Sequence, residues 1–370
     1  MAVVAFVVVL AARVFVPLFI PRFPLPAIVA ALLIDGIDQT IFQSVTSDPL
    51  EWYQSYDKAL DIYYLAIAYM SAMRNWREPV AFDIARFLYL YRLVGVALFE
   101  TTQWRWLLMV FPNTFEYFFI AYELVRTRWS PFRLRPRQVA LIAAAIWLFI
   151  KLPQEWWIHV ARLDLTDALG DQPLLWLAVA ALVGGTIVGY RALSDRLPAS
   201  EWPFTVRVDD HLNVQPLEGR NQERFFSAVL AEKAVLCALI AIIFSQVIPD
   251  VRATNVELAI GVSVLVVSNT LVSQAIRRYG KVWETVLTQF LATLVINAAL
   301  LWIDARFAGD RPYGLSWQTL VYVVLLSFIM AMFDRYRSSR NPHERIDVIR
   351  TLRTGEVYPP LAMRPEVLDT

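Results

Sequence analysis

The sequence predicts an all-α fold, a polytopic transmembrane helical bundle of about eleven spans. Three observations predict it. Of the 370 residues, 58% are hydrophobic and only 18% charged, against about 45–50% and about 25% in a soluble domain. The mean hydropathy is +0.47. The apolar residues are gathered into segments close to the roughly 20 residues that cross a bilayer, separated by short charged connections.

Taken in order, the spans are placed near 2–20, 26–43, 57–75, 80–99, 105–125, 138–152, 173–193, 227–248, 256–276, 283–303 and 316–333. The first is read as a retained span, because it has neither the basic start nor the small-residue cleavage site of a leader. Arg13 interrupts it, and snorkelling or pairing with a neighbouring acid accounts for the charge. Pro17, Pro21, Pro24 and Pro26 make the first corner a kinked, tight connection. Pro112 is expected to kink or unwind the fifth span.

Four pieces follow from this layout: a seven-span bundle over 1–194, a cytoplasmic linker over 195–226, a four-span bundle over 227–337 and a cytoplasmic tail over 338–370. In the linker, Phe204-Thr-Val-Arg-Val alternates, Asp209-Asp210 reads as a turn and His211-Leu-Asn-Val continues, which predicts a small β-hairpin. Pro153 to Leu165, with Trp156 and Trp157, reads as an amphipathic helix on the outer interface. Gly184, Gly185 and Gly189 suit close helix packing.

Basic residues set the expected orientation. Arg74 and Arg77 follow the third span, Arg126 to Arg137 the fifth, Arg277 to Lys281 the ninth and Arg335 to Arg345 the eleventh. The connections after even-numbered spans are acidic or neutral. This places the protein in the cell membrane with its N-terminus outside and its C-terminus in the cytoplasm.

The polar residues inside the early spans form stripes. Asp35, Asp38 and Gln39 share one face of the second span by their i, i+3, i+4 spacing. Asp57, Asp61 and Tyr64 run down the third. The fourth carries Asp83 with Arg86, then Tyr89 and Arg92; the fifth carries Asn113, Glu116 and Glu123. At about 1.5 Å per residue, Asp35 and Glu116 fall near the bilayer centre, and Asp38, Asp61 and Arg92 in the outer half. An Asp at a helix centre costs roughly 2.5–3.5 kcal/mol on insertion scales, so these faces should look into protein or a polar cavity. The candidate substrate- or ion-binding residues are therefore Asp35, Asp38, Gln39, Asp57, Asp61, Arg92, Asn113 and Glu116, with Arg92 as counter-charge. The competing reading is structural: Asp38 or Asp61 with Arg92, and Arg13 with Asp35, as pairs that fix helix packing.

Three functions fit. The first is a proton- or cation-linked transporter with an outward-open acidic cavity among spans 2–5. The second is a non-catalytic subunit of a membrane complex. The third is a membrane-embedded enzyme on a lipid-linked phosphate, with Asp35, Asp38, Asp57 and Asp61 as hard oxygen ligands for a divalent ion. The partners expected are membrane lipids and other membrane subunits or a second copy of the chain, with no nucleic acid. No cofactor signature is present. His159, His211 and His343 are scattered, and the single cysteine, Cys237, excludes an intrachain disulfide.

Overall fold

The structure is a computed structural model. It describes residues 2–45, 51–76, 78–130, 134–157, 198–201, 203–207, 228–247 and 317–338, with short helical pieces between 176 and 192 and between 261 and 299. The described residues are mostly helical, and no strand occurs among them.

Helix α1 (Ala2–Phe15) runs into a 3-10 turn, Val16–Phe19, at Pro17. Helix α2 (Pro24–Val45) follows, then α3 (Glu51–Asn75). Helix α4 (Pro79–Thr102) opens on Pro79, whose missing N–H costs nothing at that position. The Glu78 carboxylate accepts from Val80 N (3.3 Å) and Ala81 N (2.6 Å). It ends on Gln103, in the left-handed conformation at φ 57°. The expected fifth span is broken as Pro112 demands: α5 (Trp106–Val110) stops at Phe111 and α6 (Thr114–Arg126) restarts after Asn113. Phe111 sits so close against Gly95 of α4 that a methyl group there would overlap its side chain. Helix α7 (Pro136–Ala145) continues through a π-helical turn, Ile146–Lys151, into α8 (Leu152–Glu155). Helices α9 (Ala228–Val247) and α10 (Trp317–Ser338) complete the long elements.

The centre of the molecule is α3. It packs against α1, α2, α4, α6, α9 and α10, and its residues from Ala59 to Met73 are almost all buried. A continuous aromatic core surrounds it. Tyr69 stacks on Tyr89 with ring centroids 4.7 Å apart, and Trp76 meets Tyr122 at 4.0 Å and Phe119 at 5.5 Å. Such pairs contribute roughly 0.5–1.5 kcal/mol each beyond area burial. Both α9 and α10 pack directly on α3, so the two expected helix groups meet through it.

Several expectations are corrected. Among the described residues a single helical run, Pro136–Glu155, is both long and apolar enough to cross a membrane. Among the described residues, eleven spans are therefore not supported. One reason is particular: the fifth expected span is split at Pro112 into α5 and α6. Much of the seventh to tenth expected spans lies outside the described residues. The β-hairpin is not formed in its described half. Phe204, Thr205 and Val206 are irregular, and Thr205 N instead donates to Thr127 O at 3.0 Å; the other half, from Val208, lies outside the described residues. Pro153 does not open a separate interfacial helix, because it lies inside the run that began at Pro136. A Cβ on Gly184, Gly185 or Gly189 would meet nothing within 4 Å, so no close packing against them occurs among the described residues. The tail from 339 onward lies outside the described residues.

Candidate functional site

Arg13 lies in the last turn of α1 and reaches acids on two other helices. Its Nη1 donates to Asp38 Oδ2 at 2.5 Å, and its Nη2 donates to Asp61 Oδ1 at 2.5 Å and to Asp35 Oδ1. The helical spacing of Asp35 and Asp38 turns both towards α1, while Asp61 comes from α3. The Tyr63 hydroxyl donates to Val14 O at 3.1 Å, fixing α1 on α3 just beside the cluster. The guanidinium suits this role because its planar fork offers five N–H donors.

The cluster is closed on one side and open on the other. The side chains of Arg13 and Asp38 keep only 3% and 2% of their surface, whereas Asp35 keeps 26% and Asp61 39%. Three carboxylates held on one guanidinium also repel one another, and a proton or a small cation between them relieves that repulsion. Among the described residues no group of His, Cys, Asp or Glu side chains is arranged to hold a metal ion.

A second polar centre lies where the helix breaks between α5 and α6. Glu116, in the first turn of α6, is buried and accepts from the Tyr64 hydroxyl (2.7 Å) and from Asn113 Nδ2 (2.9 Å). An acid there complements the positive end of the helix dipole. Asn113 N donates to Glu155 Oε1 at 3.2 Å. Lys151 is buried at the end of the π-helical turn, donates to Gln154 Oε1 (2.9 Å) and lies 4.1 Å from the centre of the Tyr117 ring. The side-chain oxygens of Asn113 (Oδ1) and Thr114 (Oγ1) are buried and have no hydrogen-bond partner among the described residues.

Of the candidates read from the sequence, Asp35, Asp38 and Asp61 come together on Arg13, and Asn113 comes together with Glu116. Arg92 does not serve as the counter-charge of Asp38 or Asp61. Its Nη1 donates to Phe111 O at 3.0 Å, a carbonyl released by the break before Pro112. The side chains of Gln39 and Asp57 lie outside the described residues.

Sequence reasoning missed Lys151, Glu155 and Tyr64 as members of the second centre. It also missed Glu232, and it placed Glu123 in the polar stripe of the fifth span without its partner Trp76. The Tyr69 hydroxyl donates to Glu232 (2.6 Å), which lies 3.6 Å from Arg86, and Trp76 Nε1 donates to Glu123 (2.6 Å). One signal was available: Tyr64, Tyr69 and Trp76 set polar-tipped aromatic residues along and just after α3, where Glu116, Glu232 and Glu123 meet them. Lys233 of α9 is buried and pairs with Asp334 of α10 at 2.8 Å. Comparison with family models, with curated proteins and with solved structures found no match, so geometry alone carries the functional reading.

Proposed function

We propose that this chain is an integral membrane protein that moves protons or another small cation, alone or with a coupled solute, and that the Arg13–Asp35–Asp38–Asp61 cluster is its ion-loading site. One observation carries the proposal: three acids from two helices converge on a single guanidinium, and two of them remain partly open. A structural pair has no need of a third carboxylate or of an accessible side. Intramembrane acids that face a bundle interior mark ion pathways by default. The membrane setting is supported by the composition and by the run Pro136–Glu155, whose Leu141 and Phe149 side chains point outward. The orientation proposed is the one the basic loops favour, with the N-terminus outside.

The test is ion flux. Purified protein is reconstituted into liposomes containing a pH-sensitive dye, and a potential is imposed with potassium and valinomycin. Wild-type protein should carry protons, or sodium or potassium in the matching assay. Asp38→Asn should abolish that flux while the protein still elutes as a single folded species. Undiminished flux in Asp38→Asn, or none in wild type for any of the three ions, sinks the reading. A second protein retained at fixed ratio through purification would favour the subunit reading instead.

A further inference from the structure

The geometry points to Glu116 as a second proton-carrying site, loaded from the Arg13 cluster through the Tyr64 hydroxyl. The inference rests on the proposed function and extends it inward, from the partly open cluster to the break between α5 and α6.

Tyr64 occupies the right place between the two centres. It lies three residues after Asp61 on α3, so both side chains share one face, a turn apart. Asp61 accepts from Arg13 at 2.5 Å, and the Tyr64 hydroxyl donates to Glu116 Oε1 at 2.7 Å. The charges of Asp61, Asp35 and Glu116 all act on that hydroxyl. A hydroxyl can accept and donate at once. When a proton leaves the Asp61 carboxyl for the Tyr64 oxygen, directly or through one water, the original hydroxyl proton passes to Glu116. Asp61 is left as a carboxylate, Tyr64 neutral and Glu116 as a carboxylic acid.

The surroundings of Glu116 can satisfy both of its charge states. The carboxylate form accepts from Tyr64 and from Asn113 Nδ2. The protonated form must donate, and a buried donor without an acceptor is costly. An acceptor is at hand in Asn113 Oδ1, on the amide that already contacts Glu116 and without a hydrogen-bond partner among the described residues. Turning the Asn113 amide over replaces the donor facing Glu116 with an acceptor. The remaining charged and titratable groups around Glu116 come from every neighbouring element: Asp35 of α2, Arg92 of α4, Tyr117 of α6, and Lys151 and Glu155 of the α7–α8 run. Lys151 and Arg92 offset part of the negative charge that Glu116 carries once it releases its proton.

Time-resolved infrared spectroscopy after a pH jump, on the full chain in detergent, tests this. The carboxylic-acid band that disappears in Glu116→Gln belongs to Glu116. Its rise should be slowed about tenfold or more by Tyr64→Phe and by Asp61→Asn. Tyr64→Phe also removes a hydrogen bond, so the band frequency should shift. Asn113→Leu, which keeps the volume but removes the acceptor, should lower the amplitude. An unchanged rate in Tyr64→Phe overturns the relay, as does a Glu116 band that never forms. Neither result depends on flux. Wild-type liposomes without flux would remove the transport reading and leave the infrared rates to decide the relay.

Discussion

Arg13 Nη1 donates to Asp38 Oδ2 at 2.5 Å, and the two side chains are almost completely buried. A pair of this kind is strongly destabilising to break from one side, by about 3–5 kcal/mol, because the remaining charge is stranded. Arg13→Ala should therefore lower the thermal unfolding temperature in detergent far more than Asp38→Asn does. Arg13→Lys should restore little, since an ammonium lacks the fork that reaches three carboxylates. Equal losses for Arg13→Ala and Asp38→Asn would contradict the convergence, because they would mean that Arg13 contributes no more than its pair with Asp38.

At the break between α5 and α6, Phe111 packs directly against Gly95. A methyl group there would overlap Phe111, so Gly95→Ala should destabilise the protein by about 1–3 kcal/mol, the usual cost of overpacking. The overlap begins at Phe111 Cβ itself, so only a residue without that atom should undo the damage. In the background of Phe111→Gly, Gly95→Ala should cost markedly less than it does in the wild type. Strict additivity would contradict the contact.

Trp76 is held by a hydrogen bond as well as by packing. Its Nε1 donates to buried Glu123, which also accepts from Arg126 at 2.8 Å. Trp76→Phe keeps most of the apolar surface and removes the donor, at an expected cost of about 1–3 kcal/mol. If that cost comes from the hydrogen bond, Glu123→Leu should remove most of the difference between Trp76 and Phe. A double-mutant cycle read by thermal melts measures this directly.

The described part of the linker is clasped to the turn after α6. Glu201 N donates to Arg128 O and Thr205 N to Thr127 O, both at 3.0 Å. Trp129 Nε1 donates to Pro198 O at 3.0 Å, and the Arg128 guanidinium lies 5.8 Å from the centre of the Phe204 ring. Phe204→Ala should loosen the clasp without affecting the core. Amide hydrogen exchange at 201 and 205 should accelerate, while exchange across α3 stays unchanged.

The helical class, the split at Pro112 and the convergence of Asp35, Asp38 and Asp61 were legible in the sequence, because composition, proline chemistry and the 3.6-residue period are local properties. The partner of an acid is not local. The spacing paired Arg13 with Asp35, which the structure shows, but it gave Asp38 and Asp61 to Arg92 by depth, whereas both lie on Arg13. The choice was made by the chain break at Phe111, whose freed carbonyl engages Arg92. The sequence placed α3 as a span with a polar stripe but did not show that it is the central helix. Its Tyr64 and Tyr69, and Trp76 just after it, bury their rings while their polar tips reach Glu116, Glu232 and Glu123, so a mixed sequence becomes the most enclosed element. The hairpin was misread because alternation over Phe204 to Val208 reports only a two-residue period, and contact with Thr127 and Arg128 decides the backbone instead.

The most direct test of the central claim, that the Arg13 cluster takes up an ion from its open side, is chemical. A hydrophobic carbodiimide reacts with carboxylic acids in their protonated form. Labelled protein is digested, and mass spectrometry locates the modified residues across a pH series. The account predicts labelling at Asp61 and Asp35, the two open acids, that rises as the pH falls and is suppressed by the transported cation or by prior protection of the site. Asp38 should remain unlabelled. Absence of labelling at Asp61 and Asp35 at every pH, or equal labelling of Asp38, would contradict it.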